Sequence, residues 1–294
     1  MDITWHAKHL QVRKMAAIPL ILAAFFATVL VVRGVPMSLE FSSGTMISYR
    51  DLENRPDTGA VEHVLGALLN ADVKADAIQD PTTMKFGLDI QTTRVLDENL
   101  KDQTQRALAA QFGIQGAPDV LPFEPALSKA YQMQAVWAIV GALVAMAVIL
   151  LFVFRRKLSL MMLPCVCLNM LAALGGMALF QVQFSLASLA GILLLIGYSV
   201  DTNILLGMRV LKRVGGEVRE RVADAMKTGF MITGTTIATM VAVNLLVTHP
   251  QIDQLSAALV FGLIADLFNT WFLNAGVMIR YAERVGRKEY YVAL

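Results

Sequence analysis

Residues 184–208 read FSLASLAGILLLIGYSVDTNILLGM, an unbroken apolar run with one acid, Asp201, inside it. A helix that crosses a bilayer needs about 20 mostly apolar residues, and this run supplies 25. An ionised carboxylate at that depth costs at least ~2.5–3.5 kcal/mol, so such an acid normally faces a partner helix or a wet cavity. Thr202 and Asn203 follow it, and Gly197, one turn earlier, leaves room for a neighbouring backbone on the same face. The expectation is that the other helices pack around Asp201. Two roles are open to it: a group that carries charge for transport or coupling, and a hydrogen-bonding clamp between helices.

The composition agrees with a membrane setting. Of 294 residues, 56% are hydrophobic and 16% charged, with a mean hydropathy of +0.58; soluble domains carry about 25% charged residues. The net charge of +2 hides an uneven distribution. Between Gly34 and Ala130 there are 14 acidic and 8 basic residues, whereas the remainder holds 9 acidic and 17 basic. That division predicts an acidic soluble segment and a membrane region with basic edges.

Five apolar spans are expected at about 133–154, 158–180, 184–208, 230–248 and 254–279, after a first one over Met15–Val32 with Pro19 as a bend. The loops 181–183 and 249–253 are short and nearly uncharged. The opposite ends carry Arg155, Arg156 and Lys157, then Arg209, Lys212, Arg213, Arg219 and Arg221, then Arg280, Arg284, Arg287 and Lys288. With Lys8, Arg13 and Lys14 on the same side, the charge bias predicts that both termini are cytoplasmic. Residues 209–229, punctuated by Gly215 and Gly216, read as an amphipathic cytoplasmic element.

The predicted organisation is a cytoplasmic N-terminus and first helix over 1–35, an extracytoplasmic α+β domain over 36–128, and a five-helix membrane domain over 129–294. Within the soluble segment, Ser38–Tyr49 reads as a strand interrupted by Ser42, Ser43 and Gly44. Asp57 or Thr58 caps a helix to about Asn70. Asp72–Gln79 and Met84–Thr92 read as strands around a turn at Asp80 and Pro81, Thr93 caps a helix to Phe112, and Val120–Phe123 is a last strand. The order β-α-β-β-α-β is the ferredoxin-like split pattern.

Polar groups in the other spans are the remaining candidates. Asp266 sits near the middle of the last span, with Asn269 and Thr270 one turn on and Asn274 beyond. Thr228, Thr235, Thr236 and Thr239 recur at helical spacing in the fifth span, with Thr233 and Asn244 alongside; threonine in such helices often returns its hydroxyl to the backbone. Lys227, at the mouth of that span, either snorkels to the interface or leans towards Asp201. Cys165 and Cys167 fall two apart on one helix and point in nearly opposite directions, which disfavours a mutual disulfide.

Enzyme readings find no support. His6, His9, His63 and His249 are scattered with no HExxH, there is no GxxxxGK[ST] phosphate loop, and the residues before Asp201 and Asp266 do not form GxGD. No metal, cofactor or nucleic acid is expected.

These features together resemble the SecF family of protein-export membrane subunits. The carriers of the resemblance are GYSVDTNILL in the fourth span with Gly197, Tyr198 and Ser199; EFSSGTMISY with Phe41 and Gly44, after the first helix; and AMKTGFMITGTTIATM opening the fifth span. The resemblance runs over essentially the whole chain. It implies six transmembrane helices, a SecD partner, a SecY-type translocon, unfolded precursor proteins as cargo, and proton flow through intramembrane acids, as in the resistance–nodulation–division superfamily. By position, Asp201 becomes the proton carrier, with Asp266, Asn203, Asn269, Lys227, Thr228, Thr235 and Thr236 as supporting candidates. GYSVDTN differs from the GYSVNDT usual in bacterial members, Lys227 stands where those carry arginine, and Asp266 lies in a span mostly uncharged in them; the pattern looks like the archaeal branch. The other function weighed is a half-transporter of the same superfamily that exports small molecules or lipids.

Overall fold

The computed structural model describes residues 16–285 apart from 80–82, 84, 115, 155, 213–216 and 248. The turn at Asp80 and Pro81, the Gly215–Gly216 pair, His6, His9 and the basic residues Lys8, Arg13, Lys14, Arg155, Arg213, Arg287 and Lys288 lie outside the described residues.

A helix α1 (Ala17–Arg33) is followed by one helical turn, α2 (Leu39–Ser42). Then come β1 (Gly44–Leu52), α3 (Thr58–Leu69), β2 (Val73–Gln79), β3 (Phe86–Thr92), α4 (Glu98–Phe112) and β4 (Asp119–Phe123). The four strands form one antiparallel sheet in the order β2-β3-β1-β4. Its helix-covered face holds a core of Ile47, Tyr49, Val61, Leu65, Leu88, Ile90 and Leu108, each at most 3% exposed. Asp57 caps α3 by accepting from the Ala60 amide.

Two local expectations are corrected here. The polar residues Ser42 and Ser43 do not interrupt a strand; they end α2, and β1 begins only at Gly44. Backbone geometry requires this glycine, because at φ 149° an added Cβ would meet the Thr92 carbonyl of the neighbouring strand. Nor does Thr93 cap α4. Asp97 does, accepting from the Leu100 amide at 2.9 Å, and residues 93–97 run on as a connection in which the Leu96 amide donates to Thr45 Oγ1.

The rest is helical: α5 (Pro125–Val153), α6 (Arg156–Phe180), α7 (Leu186–Gly207), α8 (Val218–Leu246), α9 (Pro250–Phe268) and α10 (Ala275–Val285). Five of the described helical segments are long and apolar enough to cross a bilayer, and α1 is a shorter apolar helix of 17 residues. The helices outrun their expected apolar stretches. In particular α8 begins at Val218, so much of the segment expected to be a separate amphipathic element is the first turns of that helix. Wider π-helical turns occupy Met208–Lys212 and Asn269–Asn274. The second fuses α9 to α10, making one long rod with an irregularity near its middle.

The helices do not share burial equally. α5 and α8 are only lightly covered, whereas α6, α7 and the α9–α10 rod form the centre. At Gly191, α7 lies so close to α9 that an added Cβ would meet the Leu255 carbonyl and the Ala258 methyl group. Small residues at such a crossing let backbones approach closely. The sheet region is tied to the bundle by a short clip: Ser38 N donates to the Phe184 carbonyl at 2.9 Å, Phe184 N to Pro36, and Leu186 N to Glu40 Oε2.

Candidate functional site

The two intramembrane acids lie on opposite sides of the bundle wall. Asp201 is exposed on the outer face of α7 and is not the residue around which the other helices pack. On a helix, residues advance about 100° each, so Asp201 stands about 200° from both Ser199 and Asn203. Those two are completely buried. Gly197, one turn before Asp201, is exposed too, and an added Cβ there meets nothing within 4 Å. Tyr198 sits between the faces and packs on Leu195, Leu259 and Leu263.

Asp266 is the residue the structure surrounds. It is fully buried and accepts from Asn169 Nδ2 at 2.6 Å, Ser199 Oγ at 2.9 Å and Thr270 Oγ1 at 2.9 Å on one oxygen. Its other oxygen accepts from Thr202 Oγ1 at 3.0 Å. Four donors thus come from α6, α7 and the π-helical turn. Asn169 also accepts from Asn269 Nδ2 at 2.6 Å. Asn203 Nδ2 donates to the Ser199 carbonyl, and its own Oδ1 accepts from Asn274 Nδ2 at 2.6 Å. The result is a continuous polar seam between α7 and the α9–α10 rod, in which side chains supply most of the partners that dry polar groups need, Asn269 Oδ1 being left without one.

Of the expected site residues, the structure therefore gathers Asp266, Asn269, Asn203 and the motif residue Ser199 in one cluster, and leaves Asp201 outside it. Lys227 is exposed about two and a half turns into α8 and forms no ion pair with Asp201 among the described residues. The threonines of α8 return their hydroxyls to their own helix: Thr228 to Asp224, Thr235 and Thr236 to Ile232, and Thr239 to Thr235. Thr235 and Thr239 face outwards, Thr228 and Thr236 lie partly covered, and Thr233 points in. Asn244 instead reaches Asp253 and Ser256 across the α8–α9 turn.

Phe41 and Gly44 have no contact with either acid. Phe41 is buried against the Phe184 ring, with centroids 5.2 Å apart, beside Ala135 and Leu189. Both residues serve the junction between sheet and bundle. Cys165 is buried near Thr270 and Cys167 is exposed, which matches their opposed directions.

The residue that reading the sequence missed is Asn169. Its signal was present, an isolated amide inside LPCVCLNMLAAL, and buried amides in apolar spans normally have a partner. Among the described residues, no group of three or more His, Cys, Asp or Glu side chains is placed to hold a metal.

Comparison with known proteins bears on the whole chain. The family model described as "Protein export membrane protein SecD/SecF, C-terminal" matches residues 117–284. A protein-export membrane protein SecF of Methanothermobacter thermautotrophicus is 32% identical over 92% of this chain and 93% of its own length. Its counterpart in Methanopyrus kandleri is 34% identical over 83% of this chain and 86% of its own. Among solved structures, SecDF from Thermus, a translocon-associated membrane protein, superposes with a TM-score of 0.75 at 17% identity. That match takes in 97% of this chain and 39% of the larger one, so the chain spans about two fifths of the length of that solved protein.

Proposed function

The chain belongs to the SecD/SecF family of protein-export membrane proteins, and from that premise we propose that it acts as a SecF-type subunit promoting Sec-dependent export together with a SecD partner. The observation that carries this reading is the outward placement of Asp201 and Gly197. A carboxylate held against lipid is costly, and a bare glycine beside it invites a close-packed helix. A SecD helix seated on this face would cover both, with the outward threonines Thr235 and Thr239 of α8 near its edge.

In this proposal six helices cross the cell membrane, α1 included, and both termini are cytoplasmic, as the basic clusters favour. Residues 36–128 form a ferredoxin-like extracytoplasmic domain, a reading favoured by the strand order β2-β3-β1-β4. That domain meets unfolded precursors leaving a SecY-type channel, and the subunit has no catalytic chemistry of its own. Asp201 couples export to proton flow, because its carboxylate lies at the seam where two subunits could move. The clip around Glu40, Ser38 and Phe184 transmits the motion between bundle and domain.

A half-transporter for small molecules fits less well. The external segment, about 90 residues over 36–125, leaves little room for a drug-sized pocket of roughly 300 Å³ or more. The cleft between the sheet and the start of α9, lined by Glu40, Asp89, Gln91 and His249, offers about 70 Å³.

The test is precursor export in cells whose only copy carries Asp201→Asn, with co-purification of SecD in mild detergent. Asparagine keeps the shape and removes the titration. Loss of export with SecD still bound supports the coupling role. Unchanged export removes Asp201 from the mechanism, and failure of the wild-type chain to purify with SecD overturns the pairing itself.

A further inference from the structure

Strand residues alternate between the two faces of a sheet. Ile47, Tyr49, Leu88 and Ile90 point into the helix-covered core, so Met46 on β1 and Asp89 and Gln91 on β3 point out of the opposite face. That face, with Phe123 of β4, meets α2 and the start of α9 around the cleft of about 70 Å³. A single water needs only ~10–15 Å³, so the cleft has room for the tip of a side chain and for nothing of drug size.

The polar groups around the cleft do not satisfy one another. Gln254 of α9 lines it and is 8% exposed, yet its side-chain amide has no hydrogen-bond partner among the described residues. Gln91 Oε1 is desolvated and equally idle. Buried polar groups of this kind are costly unless something completes them. Asp89, 5% exposed, forms an ion pair with Arg50 at 3.2 Å that leaves its Oδ1 without an aligned hydrogen bond. Glu40 accepts from Ser38 and Leu186 on Oε2, and no lysine, arginine or histidine pairs with it among the described residues. Arg50 offsets Asp89, and Glu40 leaves the cleft with one negative charge uncompensated.

We propose that this cleft receives one cationic side chain, lysine or arginine, from an extended precursor chain leaving the membrane. One positive charge matches the one that Glu40 leaves unbalanced. The oxygens of Glu40, Gln91 and Gln254 accept from the ammonium or guanidinium donors, of which lysine brings three and arginine five. Leu39, Met46 and Phe123 line the same cleft and cover the methylene stem, as apolar surface does for long cationic side chains. A metal ion has no use for that wall, and no group of three or more acids, histidines or cysteines is placed to hold one among the described residues. The acidic balance of residues 34–130, 14 acids against 8 bases, attracts a cationic segment. Recognition of a single side chain leaves the rest of the bound sequence free, which suits cargo of no fixed sequence. The identity of the occupant rests on the export reading; the preference of the cleft for an organic cation does not.

The first experiment is titration of the purified full chain in detergent with the pentapeptide acetyl-AAKAA-amide, its arginine analogue and its norleucine analogue. The expected result is saturable binding of the two cationic peptides that salt weakens, with the norleucine peptide at least ~tenfold weaker. Gln254→Leu and Glu40→Gln each weaken the lysine peptide by a similar factor, while Glu98→Gln, on α4 across the sheet, keeps the wild-type midpoint. Because the Gln254 amide has no partner within the chain, Gln254→Leu should not lower Tm, which a merely structural glutamine would do. Should Glu40→Gln fail to fold, Gln254→Leu decides. Equal binding of the norleucine peptide overturns the proposal, as does lysine binding that survives Gln254→Leu. The occupant is tested in cells by Gln251→p-benzoylphenylalanine at the exposed rim of the cleft. Photo-cross-linking to an arrested precursor should depend on a lysine in its emerging segment, and cross-linking to SecD alone overturns the precursor as occupant. Peptide binding needs neither SecD nor export, so its loss and loss of the export role remain distinct results.

Discussion

The two faces of α7 carry similar residues in opposite circumstances. Inward, Ser199, Thr202 and Asn203 are buried and bonded to Asp266, to Asn274 and to their own backbone. Outward, Asp201 and Gly197 have open space in front of them. An acid on the inner face is part of what holds this chain together, and an acid on the outer face is available to something beyond it. Residue type alone does not distinguish them; side-chain direction does.

The sharpest way to break this comparison is to remove each acid in turn. Asp266→Leu leaves Asn169, Ser199, Thr202 and Thr270 without their shared acceptor in a dry core. Each buried hydrogen bond in a membrane bundle is worth ~0.6–1.7 kcal/mol, so the loss should reach about 3 kcal/mol, read as a large fall in Tm in detergent. Asp201→Leu should leave the Tm of the isolated chain within the ~0.5 kcal/mol typical of surface changes, and its damage should appear only in assembly and export. Equal destabilisation by both would mean that the outer face is not free.

Glycines sharpen the same contrast at a smaller scale. Gly191→Val forces a side chain into the Leu255 backbone and should cost ~1–3 kcal/mol by overpacking. Gly197→Val meets nothing within the chain, so unfolding should be unchanged while co-purification with SecD falls. A hydroxyl pair takes the comparison down another step. Ser199→Ala removes a donor to Asp266 and should cost about 1 kcal/mol. Thr235→Ala removes only a hydroxyl already turned back on its own helix, with no measurable change in Tm expected.

Much of this arrangement is legible in the amino-acid sequence. The apolar runs and the strand–helix order are local or periodic signals, and they led to the long helices and the four strands in the right order. The cap of α3 was legible to within one residue, since Asp57 and Thr58 both precede an apolar-periodic run and the structure selects Asp57. The α4 cap was not, since Thr93 and Asp97 are both good caps and only the contact between Leu96 and Thr45 on β1 selects the later one. The orientation of α7 was not legible: Ser199, Thr202 and Asn203 lie about 100–200° from Asp201, and the expectation set Asp201 rather than this stripe at the centre of the bundle. What the sequence could not express is which side meets Asp266, because that pairing is fixed by helices 60 to 100 residues apart along the chain. Asn169 was overlooked for the same reason, its partner lying 97 residues away.

A third acid, outside the bundle, gives the smallest and most graded test. Asp76 on β2 faces Asp89 on β3 across the sheet. Burial pushes its carboxyl above the ordinary carboxylate range; Asp89, Glu62 and Asp253 push the same way, and Lys74 opposes them. The folded state therefore holds this proton more tightly than the unfolded chain does. Below the ordinary carboxylate range both states are protonated, and above the raised value the folded state carries an ionised form that it disfavours. Stability from this group is consequently lost as pH rises through that window. Asp76→Asn should raise Tm at neutral pH by on the order of 1 °C, and the gain should vanish under acidic conditions where the wild-type carboxyl is already neutral. A gain that persists unchanged at low pH would mean that shape rather than charge strains this position, and Asp76 would then join the inner face of α7 as a packing group.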